Sequence, residues 1–280
     1  MRAWSRAERS RGRRIGFVPT MGFLHEGHLR LVDRTRELAD RVVLSIFVNP
    51  LQFGPKEDFN RYPRDLPRDR QLAGDRGVDV LFVPDGADMY PAEPAVRVSP
   101  GPLGDMLEGA VRPGHFAGVL TVVAKLFHLV QPDVAVFGRK DFQQATLVRR
   151  MVQDLDLGVA IDVAPTVREL DGLALSSRNS YLDPDQRRAA LALSRTLRAV
   201  EQAWRGGDAD PASVMRRGVE TLRGPGVEPD YLALLDDGLQ PVTRVTAHTV
   251  ALVAARVGAT RLIDNVVLGE GVAADPTVRA

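Results

Sequence analysis

Two histidines three residues apart, in Pro19-Thr20-Met21-Gly22-Phe23-Leu24-His25-Glu26-Gly27-His28, have the type and spacing to do chemistry. If a helix opens there, His25 and His28 stand one turn apart on the same side of it. The free N–H groups and positive dipole of that helix end suit phosphate oxygens, and Gly27 leaves the backbone open to close approach. The chemistry implied is the handling of a nucleoside triphosphate. A histidine pair that only caps its helix is the bland alternative. A zinc pair is less favoured, because no third ligand cluster accompanies it.

Four further segments carry polar groups at the ends of apolar runs. Gly138-Arg139-Lys140-Asp141 follows the run DVAVF, and its lysine is a mobile point charge able to reach a phosphate. Lysine occurs in this chain only at positions 56, 125 and 140, which sets Lys140 apart. Asp141 could cap the next helix or hold a ribose, and Gln143 and Gln144 open that helix; plain capping and surface charge remain the alternative. In Asp171-Gly172-Leu173-Ala174-Leu175-Ser176-Ser177-Arg178-Asn179, small hydroxyls and one arginine make either a phosphate clamp or a polar linker. The strand-like run before Asn49-Pro50-Leu51-Gln52 delivers two neutral amides, Asn49 and Gln52, suited to hydroxyl, amide or carboxylate groups. In Glu108–Phe116, Arg112 either pairs with a carboxylate or is a surface residue in a turn.

The elements that must position these groups alternate. Strands are expected over 14–19, 42–48, 78–83, 133–137 and 159–164, and helices over 28–41, 65–75, 118–130 and 142–155. This alternation predicts an α/β fold with a parallel sheet covered on both faces, whose ligands bind beyond the carboxyl ends of the strands. After about residue 168 the texture changes. Asp183-Pro184 reads as a helix start and Gly206-Gly207 as its stop. A second helix over 211–223 and strands over 229–235, 248–254 and 261–268 follow. A smaller α+β domain over 168–280 is thus expected behind a larger one over 1–167.

Bulk properties narrow the classes. The chain has 280 residues, 44% apolar and 26% charged, with a formal net charge of +1 and no cysteine. Disulfides, thiolate nucleophiles and cysteine-held metals are excluded. The balanced charge draws it to neither nucleic acid nor membrane, and no apolar run approaches the ~20 residues of a membrane helix. The basic first 14 residues read as a solvated helix face or frayed end, not as a secretory signal. A cytoplasmic enzyme is the expectation.

The motifs resemble those of a known group. His25-Glu26-Gly27-His28 at a strand–loop–helix junction is similar to the signature of the HIGH nucleotidyl-transferase superfamily. Asp171–Asn179 resembles the KMSKS loop that accompanies it, with Arg178 in place of a lysine. From about Gly12 to Leu268 the chain resembles the pantothenate synthetase (pantoate–β-alanine ligase) family, through PTMGFLHEGH, LSIFVNPLQF, LEGAVRPGHFAGV, DVAVFGRKDFQQ and DGLALSSRNSYL in order.

That resemblance implies a Rossmann-like N-terminal domain, a C-terminal lid and a homodimer. It implies ATP-dependent joining of pantoate to β-alanine through an acyl-adenylate, giving pantothenate, AMP and pyrophosphate, with Mg²⁺ accompanying ATP. It places ATP against Pro19 to His28, Gly138 to Asp141, the backbone of Val167, and Leu175, Ser176, Ser177 and Arg178. His28, His25, Lys140 and Arg178 are the implied catalytic residues, and Asp69 an implied Mg²⁺ contact. Gln52 would meet pantoate and β-alanine, Gln144 would hold pantoate, and Asn49 and Arg112 are further substrate candidates. Phe23 and Arg139 depart from the family pattern. The family has a further short strand ahead of the first helix; either the start is placed downstream of the true one or that edge strand is absent, and reduced stability with the chemistry retained is the expectation.

Three rivals remain at this point. A phosphate-adenylating nucleotidyltransferase would lack the C-terminal domain and the Gln52/Gln144 pair. A class I aminoacyl-tRNA synthetase fragment should carry a basic surface. A catalytically dead nucleotide-binding protein would bind ATP without releasing AMP.

Overall fold

The computed structural model describes residues 1–55 and 57–272. Two compact units divide the chain: Met1–Gly138 with Gln143–Ala164, and Arg139–Phe142 with the chain from Pro165 onward.

The first unit follows the apolar runs closely. It contains α1 (Arg2–Ser10), β1 (Ile15–Thr20), α2 (Glu26–Leu38), β2 (Arg41–Ile46), α3 (Leu66–Asp75), β3 (Val80–Phe82), α4 (Gly86–Met89), α5 (Glu108–Val111), α6 (His115–Val130), β4 (Val134–Gly138), most of α7 (Phe142–Asp154) and β5 (Ala160–Ala164). The strands form one sheet, β3-β2-β1-β4-β5, and every pairing is parallel. Both faces are packed. Phe17, Val43, Phe127 and Ala135 lie in one core and Val18, Val32, Leu44 and Val136 in another. Each such valine, leucine or phenylalanine side chain contributes about 1.5–3 kcal/mol by leaving water.

The strand order reverses between β1 and β4, which is where open parallel sheets bind ligands. The two strands pair only at Gly16–Val134 and Phe17–Ala135. Pro19, further along β1, has no N–H with which to extend a ladder. The carboxyl half of β1 is therefore laddered to β2 alone, through Thr20–Ile46.

Helix boundaries moved where glycine or histidine capped earlier than periodicity suggests. Helix α6 begins at His115, because Gly114 adopts φ 81 as its N-cap. Helix α2 begins at Glu26, with His25 as N-cap.

The second unit contains α8 (Pro184–Arg205), α9 (Pro211–Leu222) and the antiparallel sheet β6 (Val227–Leu235), β7 (Val250–Val257) and β8 (Thr260–Val267). Asp183 caps α8 by accepting from the N–H groups of Asp185 and Gln186, with Pro184 in the first turn. Leu193, Leu197, Val200, Val253 and Val266 form its core. Residues 273–280, the tail of the expected second domain, lie outside the described residues.

Candidate active site

The loop after β1 is held from below. The Thr20 hydroxyl donates to the Ser45 carbonyl at 2.7 Å and accepts from the Gly22 N–H at 3.1 Å. Gly22 takes φ 81 and Phe23, unusually for a bulky residue, φ 50. Asp69 on α3 stabilises this bend. It is 1% exposed, and its two oxygens accept the N–H groups of Phe23 and Leu24 at 2.7 Å each. Asp69 is the residue expected to contact Mg²⁺, and in this structure it also holds the loop. The buried carboxylate thus shapes the bend at Phe23 and Leu24, and each oxygen retains a further acceptor site.

His25 stands at the N-cap of α2, and its N–H donates to Nδ1 of His28 at 3.4 Å. The rings stack with centroids 4.0 Å apart and planes 29° from parallel. The capping alternative is thus realised in the backbone. It also has a chemical consequence. With Nδ1 accepting, a neutral His28 carries its proton on Nε2, which makes that atom a donor.

The two amides of the β2 loop have different fates. Asn49 is 1% exposed and fully engaged: it caps the 3₁₀ turn Pro50–Gln52, accepts from the Tyr90 hydroxyl at 2.9 Å, and donates to the Gly118 carbonyl and to Gln52 Oε1 at 3.1 Å each. Gln52 is oriented by that bond, and its Nε2 donates to the Met21 thioether at 3.1 Å. Gln52 therefore sits beside the histidine-bearing loop. A Cβ added to Gly118 would lie 2.2 Å from the Leu51 carbonyl oxygen, so only glycine lets α6 approach this turn.

Behind Gln52 lies a charged cluster. Arg112 pairs with Glu57 and donates to the Gln52 carbonyl at 3.3 Å. His115 Nδ1 lies 2.8 Å from the same carbonyl, and Nε2 faces an Arg112 nitrogen at 3.1 Å. The ring thus donates from Nδ1 and accepts at Nε2, which requires it to be neutral. Burial, then the Arg112 charge, push the His115 pKa from 6.5 down to about 4, against the opposing pull of the Gln52 carbonyl, Glu57 and Glu108. Burial raises the Glu57 carboxyl, but its hydrogen bond and charge pairing with Arg112 outweigh this and leave it lowered. A consequence for stability follows. Above pH 6.5 both folded and unfolded chains hold this ring neutral. As pH falls toward about 4, only the unfolded chain gains the proton, so folding weakens by up to about 3 kcal/mol. Denaturant titrations at pH 7 and pH 4.5 should show this loss in the parent and a shallower one in His115→Gln; equal slopes would remove His115 as its source.

Gln143 is 3% exposed and bonds the Glu108 N–H and the carbonyls of Leu103 and Met106, so it anchors the loop before α5. Gln144, the next residue, is half-buried and lies about 100° further round α7. Gly138 ends β4.

Lys140, Arg139 and Asp141 form a 3₁₀ turn that belongs with the second unit. Arg139 pairs with Glu270, and Lys140 Nζ stands 4.0 Å from Asp141. The carbonyls of Arg139 and Lys140 both accept from Nδ2 of Asn265 at 2.9 Å. In the 167–178 segment, the Val167 carbonyl accepts from the Leu175 N–H at 3.0 Å, and Ser176 caps the turn Ser177–Tyr181 by accepting from the Arg178 N–H at 3.3 Å. Arg168, 3% exposed, donates to both oxygens of Asp264 at 2.6 and 2.8 Å, and Glu169 accepts from Arg187 and Asn179. Reading the sequence missed Tyr90, His115, Arg168, Asp264 and Asn265 as parts of this framework. The available signal for the last two was an Asp-Asn pair interrupting the apolar run RLIDNVVL.

Comparison with known proteins agrees with these motifs. A family model described as Pantoate-beta-alanine ligase matches residues 1–267. The pantothenate synthetase of Pelotomaculum thermopropionicum is 50% identical over 272 residues, covering 96% of each chain. The crystal structure of pantothenate synthetase from Thermus thermophilus superposes with a TM-score of 0.88 at 53% identity, covering 91% of this chain and 93% of that one. Pantoate-beta-alanine ligase from Francisella tularensis, solved in complex with beta-gamma ATP and beta-alanine, gives a TM-score of 0.80 at 34% identity over 96% of both chains. The five motifs, the parallel sheet with its small antiparallel companion and these matches all agree: the chain belongs to the pantoate–β-alanine ligase family.

Proposed function

We propose that this chain condenses pantoate with β-alanine at the expense of ATP, with the His25–His28 loop, Gln52 and Gln144 of the first unit and Lys140 and the Leu175–Arg178 loop of the second as the working groups. The observation that carries the site assignment is the Gln52–Met21 contact of 3.1 Å. It puts an amide arm suited to a carboxylate beside a loop suited to a triphosphate, and an acyl-adenylate forms only where those two substrates meet.

The first step needs no strong base. The pantoate carboxylate, already ionised, attacks the α-phosphorus in line and pyrophosphate leaves. Catalysis is then positioning and charge stabilisation. His28 Nε2–H, His25, Lys140, Arg178 and the free N–H groups at the start of α2 are the donors. In the second step the neutral amine of β-alanine attacks the mixed anhydride and AMP leaves with the former carboxylate oxygen on its phosphate. The ammonium proton must be lost first, which a desolvating site favours. Mg²⁺ belongs with ATP as a substrate ion on the phosphate oxygens. Asp69, whose oxygens also accept two backbone N–H groups, is the carboxylate proposed to contact it.

Residues 1–167 are assigned to nucleotide and pantoate binding and 168–280 to a lid. A cytoplasmic homodimer is the proposed working state; no described helix is long and apolar enough to cross a membrane. The test is isotopic exchange of pyrophosphate into ATP. Exchange is expected with pantoate alone, followed by AMP release on adding β-alanine. Exchange that ignores pantoate would overturn the substrate assignment, and ADP in place of AMP would overturn the reaction class.

A further inference from the structure

We propose that Asn265 is a positioning residue for Lys140, and that the Asp264–Asn265 pair of β8 ties the Lys140 turn and the start of the 168–178 loop to one strand. The inference rests on the reading above that Lys140 meets the phosphates.

Strand β8 alternates. Thr260, Leu262, Asp264 and Val266 are buried, while Arg261, Ile263 and Val267 on the other face are half-exposed. Asn265 breaks the pattern: it lies on the half-exposed face yet is only 3% exposed. The turn Arg139–Asp141 accounts for this, because both hydrogens of Asn265 Nδ2 go to its consecutive carbonyls, Arg139 and Lys140, at 2.9 Å each. With two acceptors on one side, the amide nitrogen is assigned by chemistry. Anchoring two successive carbonyls fixes both peptide planes around Lys140. The lysine stem then leaves the backbone in one direction, and only its own torsions remain to be ordered when a phosphate is bound.

The anchor is itself held rigidly. Asp264 accepts the Asn265 N–H at 2.7 Å and both terminal nitrogens of Arg168. Arg168 in turn donates to the Asn265 carbonyl at 3.0 Å and the Gly172 carbonyl at 3.3 Å. A bidentate arginine–carboxylate pair at 3% exposure resists reorientation. The Asn265 side-chain oxygen is buried without a hydrogen-bond partner among the described residues. An amide with an idle acceptor is a poor choice for packing alone, so its two donors are the reason for it.

The test is a double-mutant cycle on the full-length enzyme, read by pantoate-dependent pyrophosphate exchange. In the parent, Asn265→Ala should lower the exchange kcat by about 10- to 100-fold with the KM for pantoate unchanged. In Lys140→Ala, the same substitution should change the rate by less than about 3-fold, because the residue it serves is already gone. A merely structural asparagine would cost the same factor in both backgrounds, and that result, or a parent-like rate for Asn265→Ala, overturns the proposal. Should Asn265→Ala fail to fold, Asn265→Ser, which keeps one donor on a shorter arm, enters the same cycle with the same two outcomes. A parent-like rate for Lys140→Ala alone would instead overturn the role given to Lys140, so the two failures are distinguishable.

Discussion

Replacing His28 by alanine is expected to lower pantoate-dependent pyrophosphate exchange by about 100-fold or more, the scale of losing one charge-directed donor in a transition state. The argument rests on tautomer. His28 Nδ1 accepts the His25 N–H, so Nε2 bears the proton and can donate to an oxygen gaining charge on phosphorus. Alanine removes that donor and also the reciprocal cap of α2, which costs about 1 kcal/mol of stability. His28→Gln separates the two effects. Glutamine at the third helical position can restore the cap, so this variant should melt near the parent yet remain slow in exchange. A rate for His28→Ala within a few-fold of the parent would remove His28 from the chemistry and leave it a helix cap.

The second large effect is expected at a residue with no functional group. A methyl at Gly118 would lie 2.2 Å from the Leu51 carbonyl oxygen, 2.5 Å from its carbon and 2.7 Å from the Gln52 nitrogen. These are backbone atoms and cannot rotate aside, so α6 or the Pro50–Gln52 turn must shift. The shift acts on the bond from Asn49 to the Gly118 carbonyl, and through Asn49 on the orientation of Gln52. Gly118→Ala should therefore lose about 100-fold in kcat/KM for pantoate, the scale of an ångström of misplacement, and about 1–3 kcal/mol of stability from overpacking. Gly74→Ala is the control. Its new methyl meets nothing within 4 Å, so activity should hold. Parent-like kinetics in Gly118→Ala would mean that Gln52 does not need this turn where it stands.

Much of the architecture is local in origin and was readable. Alternating apolar runs with glycine, proline or asparagine behind them marked all five parallel strands within a few residues, and Asp183-Pro184 marked α8 to the residue. The candidate phosphate-binding segments stand out for the same reason: small, charged and imidazole residues follow short apolar runs, where capping is their other use. Side-chain type alone could not separate a group that faces a ligand from one that supports the group doing so. Asn49 and Gln52 look equivalent in the chain, yet Asn49 is saturated by Tyr90, Gly118 and Gln52. Asp69 reads as a metal carboxylate, and its clamp on the backbone of Phe23 and Leu24 is visible only in the fold.

What the chain determines by itself is the set of elements and the chemistry-bearing residues, because periodicity, capping and turn chemistry act over a few neighbours. Which of those residues support and which are left to act was decided only by tertiary structure. Burial and hydrogen-bond saturation depend on distant partners, such as Gly118, 69 positions from Asn49, and Lys140, 125 positions from Asn265, and no local pattern encodes those pairings.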